Sequence, residues 1–211
     1  MSDHHDPTAD SVIRGSHRGQ SLVEFALVLP MLLVLLLGLA DFGRAFAAGI
    51  TLEAAARNAA EAAAQEYVQL ARSGVPMAAD DYARLHDVAI ATACHETDPL
   101  PNHVTAGPSC TAPHVAVCVH DAATGDACGS EASAAPGGCT GMTGWSPGIQ
   151  GGAATPLPYV EVRVCYRFTT IIDLSALRLP FGWGLSLGDI WLQKDRTFTI
   201  ACYPSAVAAC G

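Results

Sequence analysis

Between Phe25 and Ala40 the chain carries no charged residue, and Glu24 stands immediately before that run. A helix over 25–40 spans about 24 Å at 1.5 Å per residue, while the hydrocarbon core of a bilayer is roughly 30 Å thick. A crossing helix therefore needs Ser21 to Val23 as well, which puts Glu24 at the membrane boundary or just inside it. A carboxylate in hydrocarbon is expensive and calls for a partner. Insertion scales give about 2.5–3.5 kcal/mol for a charge at the helix centre, and less near an end. Pro30 removes a backbone donor and frees the carbonyl of Ala26. Membrane helices tolerate that defect where neighbouring helices or water compensate. Glu24 and Pro30 together describe a helix that packs against partners.

The flanks set an orientation. Arg14 and Arg18 precede the segment, and Asp41 and then Arg44 follow it. The positive-inside rule places the N-terminus in the cytoplasm and the C-terminal region outside. The cysteines point the same way. Cys94, Cys110, Cys118, Cys128, Cys139, Cys165, Cys202 and Cys210 all follow the apolar run. An even set in an exported region is a disulfide framework, with 105 full pairings open to it. An ordinary signal peptide is the competing reading, since Ala45-Phe46-Ala47 offers a small-residue cleavage pattern. Against it, the apolar run exceeds the usual 7–15 residues, and Asp41 and Arg44 intervene. A formal net charge of −9, with Lys194 the only lysine, argues against nucleic acid as a partner.

Beyond the membrane segment, alanine enrichment from Ala45 to Ala71 predicts continued helix, stopped by Gly74 and Pro76. Glu53, Arg57 and Glu61, at i, i+4 and i+8, share a face and can pair along it. A second helix is expected from Ala78 to about His95, with Tyr82, Leu85, Ala89 and Thr92 near one stripe and Pro99 and Pro101 beyond it. From Gly107 to Pro158 the Gly, Pro, Ser and Cys content reads as disulfide-held loop around one short strand near His114–His120. Tyr159–Thr170 alternates apolar and polar residues, the pattern of a strand with one wet face. Arg196–Tyr203 is a further strand. The apolar stretch Ile171–Leu192, with Trp183 and Trp191, packs on the sheet or touches a membrane or another subunit. The fold class is α+β: a long N-terminal transmembrane helix continuing into an alanine-rich helix, then a small disulfide-rich domain with a few antiparallel strands.

No catalytic motif stands out. There is no G-x-S-x-G, H-E-x-x-H or phosphate-binding loop, and Gly182–Gly188 has the wrong spacing for a dinucleotide fingerprint. The chain reads as a non-enzyme without cofactor. His114, Cys118 and His120 would share a strand face and suit zinc or copper, but no C-x-x-C accompanies them, so disulfides are the preferred reading.

Arg18-Gly19-Gln20-Ser21-Leu22-Val23-Glu24-Phe25-Ala26-Leu27-Val28-Leu29-Pro30, the leucine run, Gly38, the exit Asp41-Phe42-Gly43-Arg44 and the later Thr51-Leu52 with Ala55-Ala56-Arg57 resemble the TadE/TadG-like family. These are pseudopilin-like components of bacterial tight-adherence (Flp-type) pilus systems. The resemblance covers about Arg18 to Ala63; from Val75 onward no family is recognisable. It implies that a prepilin peptidase cuts after Gly19, so that Gln20 becomes the first mature residue and Glu24 the fifth. The implied domains are a cleaved cytoplasmic leader 1–19, a transmembrane and alanine-rich helix 20–74, and an exported cysteine-rich domain 75–211. The implied partners are the peptidase, other pilins or pseudopilins, the inner-membrane assembly platform and membrane lipid. Glu24 would pair with the new α-amino group of a neighbouring subunit; the plainer reading is a carboxylate snorkelling to the interface. The competing function is a membrane-anchored, disulfide-stapled adhesin or metal carrier unrelated to pili.

Overall fold

The computed structural model describes residues 20–121, 125–146, 157–171 and 189–200. The chain divides into two units, Met1–Ala40 and Asp41–Gly211. The described part of the first is helix: α1 runs Gln20–Ala71, with Pro30 inside it. Every residue from Ser21 to Ala40 is exposed, including Leu27, Met31 and Leu35. Among the described residues of this unit nothing covers the apolar run, which is long enough to cross a bilayer.

In the second unit α1 changes character. Ala48, Leu52, Ala56, Ala59, Ala60, Ala63, Ala64, Tyr67 and Ala71 are buried in one core. Their spacing by three and four residues makes a continuous stripe. Gly74, at φ +67°, follows the end of the helix, a backbone geometry that glycine adopts without steric cost. α2 spans Ala79–Glu96, one residue from the expected bounds. The Asp81 carboxylate accepts the Ala78 N–H at 2.8 Å and caps its start. Tyr82, Leu85, Ala89 and Ala93 are its buried stripe; Ala93, rather than Thr92, completes it.

A small hairpin, β1 (Val104–Ala106) and β2 (Ser109–Ala112), precedes the main sheet. That sheet comprises β3 (His114–Asp121), β4 (Gly125–Cys128), β5 (Tyr159–Phe168) and β6 (Ile190–Thr199), ordered β4-β3-β5-β6 and antiparallel throughout. Val115, Val117 and Val119 of β3 and Val160, Val162, Val164, Tyr166 and Phe168 of β5 turn one face toward the helix core. The opposite face carries Ala116 and Cys165 and is covered by Ala132, Cys139, Met142 and Trp145 of the segment after β4, with Trp191 of β6.

Three expectations need correction. The wet face predicted for β5 is buried over most of the strand, with only Arg167 exposed: Tyr159, Glu161 and Cys165 are as enclosed as the valines between them. Alternation reports two chemistries, not which of them meets water, and here a covering segment satisfies the polar set. Among its described residues the stretch Gly107–Pro158 holds three strands, β2, β3 and β4, where one was expected. The last strand starts at Ile190, because the ten residues of β5 pair from Tyr159↔Thr199 to Phe168↔Ile190 and need a partner of equal length. Most of Ile171–Leu192, with Trp183 and Gly182–Gly188, lies outside the described residues, as do Tyr203 and residues 1–19. Trp191 packs in the outward cluster.

The alanine face of α1 allows no added bulk. Ala60→Leu is expected to destabilise the chain by about 1–3 kcal/mol through overpacking, whereas Asn58→Ala on the exposed side should stay within about 0.5 kcal/mol. Denaturant unfolding of the full chain in detergent micelles measures both.

Candidate functional site

Among the described residues, α1 is the one helix long and apolar enough to cross a membrane, and none of its most apolar window is buried. Gln20 is its first residue. Glu24 lies one turn further on and is exposed; Phe25 is 57% exposed, and Pro30 is exposed within the apolar run. Gly19 falls outside the described residues. The assembly candidates that the structure does describe therefore sit on α1 with exposed side chains.

The exit motif forms the next part. Asp41 accepts the Arg44 guanidinium at 2.8 Å and the backbone N–H of Ile171 at 3.0 and 3.1 Å. The Arg44 guanidinium also lies 5.3 Å over the Phe168 ring. One carboxylate and one guanidinium thus fasten the start of the second unit to the end of β5. Charged hydrogen bonds of this sort exceed neutral ones in strength. Further along α1, Glu53 pairs with Arg196 and lies 3.8 Å from Lys194. This corrects the expected pairing along the helix: the carboxylate reaches across to β6.

The disulfide framework is local. Cys94 binds Cys110, tying the end of α2 to β2; Cys118 binds Cys128 across the β3–β4 pair; Cys139 binds Cys165, fixing the covering segment to β5. Cys202 and Cys210 lie outside the described residues. The metal alternative is overturned at its centre, because Cys118 has no thiolate to offer. His114 Nε2 lies 2.5 Å from the Glu131 carbonyl, and His120 faces carboxylates. Among the described residues no group of three or more His, Cys, Asp or Glu is arranged to hold a metal.

Two polar clusters escaped the sequence reading. On the outward face of the sheet, Glu161 is 1% exposed and accepts Arg163 Nε at 2.7 Å and the Ser146 N–H at 3.1 Å. Arg163 donates in turn to the carbonyls of Gly141 and Gly144 and lies 4.8 Å over the Trp145 ring. His120 stands 2.8 Å from Asp126 and 3.4 Å from Glu161, with the Tyr159 ring stacked at 4.2 Å. The network replaces the water that these charges lose and locks the segment around 141–146 to β5. In the second cluster, the hydroxyls of Tyr67 and Tyr82 donate to Asp121 at 2.8 and 2.7 Å. Burial, and then the bond to Asp121, push the Tyr67 phenol well above its ordinary range. Burial raises Tyr166 as well, and its hydroxyl donates to the Pro101 carbonyl. A charged pair two apart within an apolar strand, Glu161 and Arg163, was the available signal for the first cluster; nothing local in sequence joins Tyr67, Tyr82 and Asp121.

Residues 19–61 match the family model described as TadE-like protein. The TadE-like segment thus begins at the glycine before α1, includes Glu24, Pro30 and the Asp41–Arg44 exit, and ends within the alanine-rich part of the helix. The second helix and the sheet lie beyond it. No curated protein and no solved structure matches the chain.

Two outcomes test these clusters. Removing the guanidinium with Arg163→Ala strands a buried carboxylate and should cost about 3–5 kcal/mol, of which the pair Arg163→Met with Glu161→Gln recovers a large part. Denaturant midpoints of the full chain in detergent micelles compare them. For Tyr67 the folded value lies above the ordinary tyrosine value of 10.0, so its contribution is complete below that pH and is lost as pH rises past it. Unfolding curves across that range should therefore fall more gently for Tyr67→Phe than for the native chain.

Proposed function

We propose that this chain is a non-enzymatic minor pseudopilin or assembly component of a tight-adherence (Flp-type) pilus system. It is held in the bacterial inner membrane by α1, with its N-terminus cytoplasmic and its disulfide-bonded domain outside. The observation that carries this reading is the position of the family match: it begins at Gly19 and contains Glu24, the glycine and carboxylate whose spacing a prepilin-type cut requires.

Cleavage after Gly19 by a prepilin peptidase discards the polar leader and gives Gln20 a free α-amino group. That group and Glu24 are then opposite charges of limited solubility in hydrocarbon. Pairing between neighbouring subunits relieves both, and it sets the register of one helix against the next. Pro30 suits such a helix, because a neighbouring chain can answer the backbone carbonyl that proline leaves without a donor. The other partners are fellow pilins or pseudopilins and the membrane-embedded assembly platform. The three disulfides support an oxidising location for the folded unit.

N-terminal sequencing of the membrane-fraction protein should read Gln20 as the first residue. Gly19→Arg should leave a heavier, unprocessed chain, and a normal mature band would remove the cleavage claim. Glu24→Ala should preserve processing and insertion yet abolish co-assembly with other pilus subunits in pull-downs from solubilised membranes. Unimpaired co-assembly would overturn the pairing role.

A further inference from the structure

β6 is an outer strand of the main sheet. It pairs with β5 over its whole length, and among the described residues no strand lies on its far side. The phase of the pairing is visible at its end. The Ile200 N–H donates to the Pro158 carbonyl at 2.8 Å, so residue 200 points its backbone at β5. In an antiparallel ladder alternate residues do so, which turns the N–H and C=O of Thr197 and Thr199 away from the sheet. Both residues are exposed, and among the described residues no hydrogen bond takes up those groups. Such an edge is a template for another extended chain, unless proline, a bulge or charge blunts it. Lys194, Asp195 and Arg196 end just before Thr197; from there to Ile200 there is neither charge nor proline, and the register with β5 is unbroken.

The edge also has a wall beside it. Two adjoining hollows of about 560 and 730 Å³ lie between β6 and α1. Residues 196–198 line the first and 198–200 the second. Strand side chains alternate between faces, so successive residues line one hollow only where it follows the strand's edge. On the α1 side stand Arg57 in the first hollow and Arg72 in the second. Both are exposed, and neither makes an ion pair among the described residues. The carboxylates on this side of α1 are engaged, Glu53 by Arg196 and Lys194, and Glu61 by the Gln65 amide. Two unpaired guanidiniums therefore face the groove of a chain whose net charge is −9. They stand about 22 Å apart along the helix, the span of about six or seven residues of extended chain.

We propose that an acidic, extended segment of another polypeptide adds to the free edge of β6 and lies in the groove beside α1. Its backbone pairs with Thr197 and Thr199, and its carboxylates, about six residues apart, reach Arg57 and Arg72. An even spacing keeps both carboxylates on one face of the added strand. A basic segment meets like charge at both ends of the groove and is rejected. The surface depends neither on cleavage after Gly19 nor on the pairing of Glu24.

The probe is a capped, fluorescent nonapeptide of threonine and valine with glutamate at its second and eighth positions. It is titrated into the full-length chain in detergent micelles and followed by anisotropy. Saturable binding is expected, weaker by about tenfold or more for the peptide with lysine at those positions or for the chain carrying Arg57→Glu and Arg72→Glu. A peptide with methylated backbone amides should not bind. Thr197→Pro removes an outward donor and leaves the β5 ladder intact, so it should abolish binding without moving the denaturant midpoint. No binding, equal binding of the lysine peptide, or binding that survives Thr197→Pro would each overturn the proposal. Amide exchange separates the other occupants. Thr197 and Thr199 should exchange fast in the free monomeric chain and slowly once the glutamate peptide is bound. Protection in the free monomer means that the chain covers its own edge, and protection that follows self-association means that a second copy does; either result overturns the acidic partner.

Discussion

Alanine at successive turns of α1 shares one core with the valines of β3 and β5, and the second unit is built around that core. Ala56, Ala59, Ala60 and Ala63 are fully buried, as are Val117, Val119, Val160, Val162 and Val164 opposite them. Small side chains on the helix and β-branched ones on the strands suit each other. The first keep helix propensity high, and the second keep the strand extended. Leu52 and Tyr67 fill the layer where alanine is too small, and the Tyr67 hydroxyl finds Asp121 at the edge of the apolar zone. α2 closes the remaining flank through Leu85, Ala89 and Ala93.

The outward face of the same sheet is held by other means. Its apolar cluster is small: Ala116, Ala132, Cys139, Met142 and Cys165. Burial of that size cannot by itself hold an irregular segment in place against its conformational entropy. Two directional constraints take over. The Cys139–Cys165 bond fixes one point, and Arg163 gathers the carbonyls of Gly141 and Gly144 at another. Glycines at 138 and 141 let the segment lie directly on Trp191 and Gln193, whose side chains occupy the space a Cβ would need. A reducing compartment would remove one of the two constraints, so the architecture itself agrees with an oxidising location.

Helices were legible in the sequence because their signals are local. The run to Ala40, the alanines to Ala71, the stop at Gly74 and the stripe of Tyr82, Leu85 and Ala89 all appear within a few turns of the chain. The strand at His114–Asp121 and the alternation of β5 were legible for the same reason. What was not legible depends on distant residues. Burial of Glu161 requires a segment that arrives from residues 129–146. The early start of β6 follows from the length of β5 and from no feature of Ile190–Asp195. The destination of Glu53 was misread because a helix offers i+4 partners to any charge, while the actual partner, Arg196, is more than a hundred residues away. Cysteine pairing was left open on principle, and for the six described cysteines the structure gives three links between successive cysteines.

One helix therefore answers to different solvents along its length, and its composition records each of them. Up to Ala40 large apolar side chains point outward on all sides, which only a medium as apolar as they are would favour. From Ala48 onward one side is reduced to alanine for packing on the sheet, and the other turns polar with Arg57, Asn58, Gln65 and Gln69. Between these regimes, from Phe42 to Ile50, neither rule holds. The sheet side is already engaged, yet the free side still carries two phenylalanines, an isoleucine and a glycine. A helix selected only to stay in the membrane would have no use for Ile50, and one selected only to fold on its sheet would place alanine at Gly43. The residues in this short interval therefore follow neither the lipid rule before them nor the packing rule after them.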